Sequence, residues 1–127
     1  EDSTMSNGVI ARTLVFDELV EDFIDRNSDC TIVNIACGLD TRFYRMDNGK
    51  LRWYNLDLPE TIAVRDQIYQ GSGRVSTIGI SALDPAWADQ IDAQGKMLFM
   101  IFGLPAAAYA IYKTSPGEKK NKVKACI

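Results

Sequence analysis

The sequence contains no histidine, and its three cysteines (Cys30, Cys37 and Cys126) lie far apart and form no CxxC pair. Structural zinc sites need clustered Cys and His ligands, and a catalytic thiol is usually activated by a neighbouring imidazole. The composition therefore argues against a metal site and against a Cys-His nucleophile. Widely spaced cysteines without partners are typical of reduced thiols, so we expect a cytoplasmic location.

Long apolar runs are also missing. No stretch reaches the roughly 18 apolar residues of a membrane span, and the first residues do not follow the pattern of a signal peptide. The 127 residues are 46% hydrophobic and 24% charged, which is ordinary for one globular domain with its own core. We therefore expect no membrane partner.

Charge is spread unevenly along the chain. The formal net charge is −3, but residues 113–127 hold five lysines and one acid, which gives +4 there and leaves −7 for the rest. A basic segment could contact nucleic acid or a membrane, yet no aromatic residue interleaves these lysines. We expect a domain at residues 1–112, a basic disordered tail at 113–127, and no nucleic-acid partner.

Apolar segments of two kinds alternate along the chain. Helical spacing predicts an amphipathic helix at 8–26, and apolar runs that end at glycine or proline predict strands at 31–36, 51–56, 74–80 and 96–102. Between them, Pro59 opens a helix and Asp84-Pro85 a shorter one, with Asp84 as N-cap. Strands whose apolar residues do not alternate are typical of parallel sheets covered on both faces. The order predicts an α/β fold with a doubly wound, mostly parallel sheet and an N-terminal helix.

The first predicted strand ends in a turn with a single glycine, Gly38, in the stretch "TIVNIACGLDTRFYR". Turns that bind the pyrophosphate of a dinucleotide usually have three glycines, so that bare backbone can approach the phosphates. Here Asp40 places a carboxylate where phosphate would be repelled, although Asp40 and Thr41 could equally cap the next turn. S-adenosylmethionine has adenosine and a positive sulfonium but no phosphate, so it fits this turn better than NAD does.

Asp57 ends the second predicted strand, 19 residues after Gly38. In a βαβ unit these two strand ends are neighbours, so a ligand over Gly38 would bring its ribose to Asp57. A carboxylate there can accept hydrogen bonds from both ribose hydroxyls. The alternative is that Asp57 is a solvated turn residue before the helix that Pro59 opens.

Two stretches, "NIACGLDTRFYR" and "RWYNLDLPETIAVR", resemble the leucine carboxyl methyltransferase family and its bacterial relatives, the polyketide-type O-methyltransferases. The similarity extends over about residues 8–104. It implies a class I methyltransferase with a Rossmann-like fold, which transfers a methyl group from S-adenosylmethionine to an oxygen of a small-molecule or carboxylate acceptor.

The resemblance also implies roles for particular residues. Arg12 matches the arginine that meets the cofactor carboxylate, although a surface ion pair with Asp17 would also explain it. Gly38 matches the glycine under the methionine part, and Asp57 matches the ribose-binding acid. The segment that meets the adenine corresponds to Ser81, Ala82 and Leu83. No catalytic residue and no metal ligand follow from the match.

The sequence departs from the family in three places. Asn34 stands where many class I methyltransferases have an acid, Phe102 precedes Gly103-Leu104 where the family usually has an acid, and the segment after residue 104 shows no resemblance. We expect no further strand pair in that segment, and a truncated chain would explain it. An unpaired sheet edge would favour homo-oligomers.

Two other functions stay open: a non-catalytic fragment that binds cofactor or mediates oligomerisation, and, less favoured, a nicotinamide-dependent oxidoreductase.

Overall fold

The computed structural model describes residues 3–69, 71, 73–101 and 108–113, and the side chains of residues 3–10, 12 and 108–113 are outside that description. In chain order the elements are α1 (Ser3–Arg26), β1 (Thr31–Ile35), α2 (Arg42–Met46), β2 (Arg52–Asp57), α3 (Pro59–Ile68), β3 (Val75–Gly79), a 3₁₀ helix (Pro85–Gln90), β4 (Lys96–Ile101) and β5 (Ala108–Lys113). Phe102 and residues 114–127, where the predicted tail falls, lie outside the described residues.

The five described strands form one sheet in the order β3-β2-β1-β4-β5. β1 pairs in parallel with β2 and β4, and β2 pairs in parallel with β3. The predicted α/β fold with a mostly parallel sheet is confirmed, and each of the four predicted strands lies within a residue or so of its observed bounds. After β1 the chain adds β2 and β3 on one side of β1 and then β4 on the other side. Open α/β sheets bind ligands beside the strand at which the order changes direction in this way.

Helices cover both faces of the sheet. On one face, α1 and α2 pack their buried residues against Ile32, Trp53, Leu98 and Met100. On the opposite face, Trp87 and Ile91 pack with Val33, Leu56 and Phe99. This two-sided burial explains why the central strands are apolar without alternation. Trp53 and Trp87 are both buried in these cores.

Two elements differ from the sequence-based expectation. The helix α2, five residues long, was not predicted, because so short a segment shows little periodicity. The segment after residue 104, in which we expected no further strand pair, contains one described strand that was not predicted, β5, which pairs antiparallel with β4 and covers its outer edge. On α1, helical spacing predicts an apolar stripe of Val15, Phe16, Leu19, Val20, Phe23 and Ile24. The buried stripe is narrower, because Val15 and Leu19 are exposed and the other four are buried.

Candidate functional site

Three strand ends bring Gly38, Asp57 and Ser81 to one edge of the sheet. β1, β2 and β3 are parallel and end at Ile35, Asp57 and Gly79. The register places Ile35 beside Leu56 and Asp57 beside Gly79. Gly38 follows the first of these ends and Ser81 the third, so both flank Asp57 at the carboxyl edge.

Gly38 and Asp57 are in direct contact. The N–H of Gly38 donates to Oδ2 of Asp57 at 2.9 Å, and the N–H of Leu58 donates to Oδ1 of the same carboxylate at 2.8 Å. Asp57 therefore holds the turn and also precedes the start of α3, so the two interpretations of this residue are compatible. An ionised carboxylate has about four acceptor positions, and these two bonds leave about two for other donors.

The turn after β1 uses its backbone N–H groups within the protein. Besides Gly38, the N–H of Cys37 donates to the carbonyl of Leu56 at 3.2 Å, and the N–H of Asp40 donates to the carbonyl of Cys37 at 2.9 Å. Phosphate sites at such turns depend on backbone N–H groups that point at the ligand. Three of the donors that a pyrophosphate would need here are already bonded.

Space above the turn is open. Gly38 has a φ of 50°, in the left-handed region that favours glycine, and a Cβ built on it would meet no atom within 4 Å. Ala36, two residues earlier, has a φ of 56°, which is uncommon for a residue with a Cβ. The turn therefore combines unusual backbone conformations with room for a ligand to approach.

The loop after β3 presents an exposed apolar side chain at the same edge of the sheet. Leu83 is 92% exposed, and its N–H donates to Oγ of Ser81 at 3.3 Å. The carbonyl of Ala82 accepts from the indole N–H of Trp87 at 3.1 Å, so the buried Trp87 fixes the loop. Asp84 is confirmed as an N-cap, because its Oδ1 accepts from the N–H of Ala86 at 3.0 Å.

Arg12 lies on α1, the helix that leads into β1, but its side chain is outside the described residues. The alternative partner, Asp17, is engaged elsewhere. Its Oδ1 accepts from Nε of Arg42 at 2.7 Å, and its Oδ2 pairs with Arg45. The role that the resemblance implies for Arg12 stays a prediction.

Comparison with known proteins decides the family. The family model of leucine carboxyl methyltransferases matches residues 1–95. The chain belongs to the leucine carboxyl methyltransferase family. A relative of this chain is the tetracenomycin polyketide synthesis O-methyltransferase TcmP of Streptomyces glaucescens, which is 30% identical over 97 residues. The match covers 76% of the present chain but 36% of that relative, so the chain spans little more than a third of the relative's length.

In this leucine carboxyl methyltransferase family member, Asp40 has a structural role. Its Oδ2 accepts from Nδ2 of Asn34 at 2.8 Å, and its Oδ1 accepts from the N–H of Arg42 at 3.3 Å and lies 3.1 Å from Nη1 of that arginine. The Arg42 side chain is 1% exposed, so the pair is buried. Asp40 thus caps the start of α2 and neutralises a buried cation, whereas Thr41 makes no capping hydrogen bond through its side chain.

The cysteine in the turn is a protonated thiol at neutral pH. Burial raises the pKa of Cys37 from 9.0 to about 12, although Arg65 opposes this rise. Burial likewise raises the pKa of Cys30 to about 11. Both thiols are free and buried. A thiolate nucleophile at these two positions is therefore disfavoured.

Two residues that the sequence analysis did not single out contact the same turn. The guanidinium of Arg65, on α3, donates through Nη1 to the carbonyl of Gly38 at 3.0 Å, and the hydroxyl of Tyr69 donates to the carbonyl of Leu39 at 3.2 Å. The sequence could have indicated this contact. Ile62, Arg65 and Tyr69 follow helical spacing, which places Arg65 on the buried face of α3 together with Ile62.

The described residues show neither a membrane-spanning helix nor a cluster of metal ligands. None of the described helices is both long enough and apolar enough to cross a membrane. Within the same part of the chain, no three Cys, Asp or Glu side chains are grouped so that they could hold a metal ion.

Proposed function

We propose that this chain binds S-adenosylmethionine at the carboxyl edge of β1 and β2 and forms the cofactor-binding half of an O-methyltransferase. The observation that carries the proposal is the hydrogen bond from Gly38 to Asp57. It fixes a carboxylate beside an open turn and uses the N–H that a phosphate would need. Family membership supports methyl transfer, because the family is named for carboxyl methylation and the relative TcmP for O-methylation.

The described residues fit the proposed cofactor. Asp57 has free acceptor positions for the two ribose hydroxyls, Gly38 allows close approach of the methionine part, and Leu83 offers an exposed apolar surface for the adenine. Ser81 and Ala82 would contribute backbone groups at the same place, and Arg12 would bind the cofactor carboxylate. When bound, S-adenosylmethionine supplies a methyl group on a positively charged sulfur, which is a good leaving group.

The protein's part in such a reaction is alignment of donor and acceptor and exclusion of water. A carboxylate acceptor needs no general base, which agrees with a chain that has no histidine. We propose a small-molecule oxygen acceptor, either carboxylate or hydroxyl.

We also propose a cytoplasmic location and a homo-oligomer that pairs through the edge strand β3. Size-exclusion chromatography with light scattering tests the oligomeric state.

Calorimetric titration of the 127-residue chain with S-adenosylmethionine, S-adenosylhomocysteine and NAD tests the proposed ligand. We expect both adenosyl ligands to bind at least about tenfold more tightly than NAD, a difference of about 1.4 kcal/mol. Tighter binding of NAD would favour the oxidoreductase and overturn the proposal. Lack of binding by all three ligands would overturn it as well.

A second candidate function is a module that binds the cofactor without turnover. Formation of S-adenosylhomocysteine in the presence of small carboxylic acids or phenols separates the two candidates. Product formation supports the enzyme, whereas tight binding without product supports the module.

A further inference from the structure

We infer that Arg65 on α3 and Tyr69, which directly follows α3, are positioning residues, which set the conformation of the turn Cys37–Asp40 for the methionine part of the cofactor. The inference rests on the proposed function. It adds two residues and one backbone donor to the site. It starts from an unusual feature, a buried arginine that has no acidic partner among the described residues.

Arg65 is 2% exposed, and burial of a charged group costs several kcal/mol unless the group is well satisfied. Within the described residues no carboxylate forms an ion pair with it. Its contacts are the carbonyl of Gly38 and the ring of Tyr69, whose centroid lies 5.0 Å from the guanidinium carbon. The burial of Arg65 is thus explained by the turn that it binds.

Tyr69 binds the next carbonyl of the same turn. It follows the last residue of α3, and its own N–H donates to the carbonyl of Arg65 at 2.9 Å, which holds the two residues together. Its hydroxyl reaches the carbonyl of Leu39. The end of α3 therefore binds two consecutive carbonyls, while Asp57 holds the N–H of Gly38 from β2.

These contacts fix the direction of one further group. The carbonyl of Gly38 and the N–H of Leu39 belong to the same planar trans peptide and point in opposite directions. Since Arg65 holds the carbonyl, the N–H of Leu39 points away from that guanidinium. The N–H groups of Cys37, Gly38 and Asp40 are bonded within the protein, whereas the N–H of Leu39 forms no hydrogen bond with any described residue.

The chain that enters the turn has a costly conformation. Ala36, directly before Cys37, has a φ of 56°, and a residue with a Cβ in this region costs of order 1–3 kcal/mol unless its surroundings over-determine it. We therefore assign the N–H of Leu39 as a donor to an acceptor atom of the methionine part, with Arg65 and Tyr69 keeping it in place.

Tyr69→Phe tests this assignment with little risk to the fold, because it removes one hydroxyl and keeps the ring beside Arg65. We expect the affinity for S-adenosylmethionine to fall about 2- to 10-fold, as for the loss of one net hydrogen bond, and the affinity for adenosine to stay unchanged. Adenosine lacks the methionine part and so does not depend on the Leu39 donor. Tyr54→Phe is the matched control, since its hydroxyl bonds to Asp92 near the amino end of β2; it should change neither affinity.

Arg65→Lys and Arg65→Met extend the test. Lysine keeps the charge and a donor, so it should retain part of the affinity that methionine loses. Equal binding of S-adenosylmethionine by Tyr69→Phe and the parent would overturn the inference and leave the proposed function intact. Equal losses for S-adenosylmethionine and adenosine would also overturn it, because a general loss of structure would explain them. A parent chain that binds no S-adenosylmethionine would overturn both.

Discussion

The N–H of Gly38 and the carboxylate of Asp57, 19 positions apart in the sequence, are joined by a hydrogen bond of 2.9 Å. The bond connects the turn after β1 to the end of β2. Any ligand that lies over the turn must therefore lie beside a fixed negative charge. That charge favours a diol or a cation and opposes a phosphate.

Asp57→Asn tests the ribose contact, because asparagine keeps an oxygen for a backbone N–H but loses the charge. We expect affinity for S-adenosylmethionine to fall about 10- to 150-fold, which corresponds to about 1.5–3 kcal/mol for hydrogen bonds to a charged acceptor. Calorimetry measures the change. Asp25→Asn, an exposed acid on α1, is the control for loss of one negative charge. Unchanged affinity in a variant with the parent's circular dichroism spectrum would refute this placement of the ribose.

Arg12→Ala tests the predicted contact with the cofactor carboxylate. Binding of S-adenosylmethionine should weaken about tenfold or more, since a bidentate charged pair is lost, while binding of adenosine should not change. Arg26→Ala removes an exposed arginine from the same helix and serves as the control. If both arginine variants lose affinity equally, the effect comes from net charge and the assignment of Arg12 is wrong.

Asp17→Ala tests the buried ion pair that joins α1 to α2. The variant removes the carboxylate 2.7 Å from Nε of Arg42, and we expect the free energy of unfolding to fall by about 2–3 kcal/mol because a buried cation loses one of its two carboxylates. Urea denaturation measures the change. Asp22→Ala breaks an exposed pair with Arg26 on the same helix and should cost less than about 1 kcal/mol. If both variants lose the same free energy of unfolding, the buried pair contributes no more to stability than the exposed pair, and the prediction is wrong.

The buried thiols predict a loss of stability at alkaline pH. In the unfolded chain Cys30 and Cys37 lose their protons near a pKa of 9.0, whereas in the folded chain they keep them up to about 11 and about 12. The folded state then binds more protons, so the free energy of unfolding falls as pH rises above about 9. In a variant with alanine at both positions, this fall should be smaller between about pH 9 and 10.5. Urea denaturation at each pH measures the free energy of unfolding. If it declines equally with pH in both proteins, these thiols are not the cause.

Local signals account for what the sequence predicted well. Apolar runs with glycine or proline stops depend on neighbouring residues, so β1, β2, β3 and β4 were found close to their observed bounds. The strand ends then follow from parallel topology, which is why Gly38 and Asp57 could be grouped. Family resemblance added Arg12 and the segment of Ser81, Ala82 and Leu83, which spacing alone does not indicate.

The features that were missed depend on distant partners. Arg65 and Tyr69 act on carbonyls of a turn about 30 positions away, and the buried Arg42 pairs with Asp17, which lies 25 positions earlier. No window of sequence shows these pairings. β5 was missed for the same reason, since its partner β4 supplies the edge that it covers.

The antiparallel course of β5 has a practical use. Lys113, its last residue, pairs with Lys96 at the start of β4, whereas the proposed cofactor turn lies at the opposite ends of the parallel strands. Six residues of strand separate the two edges by roughly 20 Å. The last described residue of β5, Lys113, therefore lies on the side of the domain away from the turn. A surface tether that holds the chain on the carboxyl side of Lys113 should thus immobilise the protein for ligand-binding measurements with the turn facing the solution.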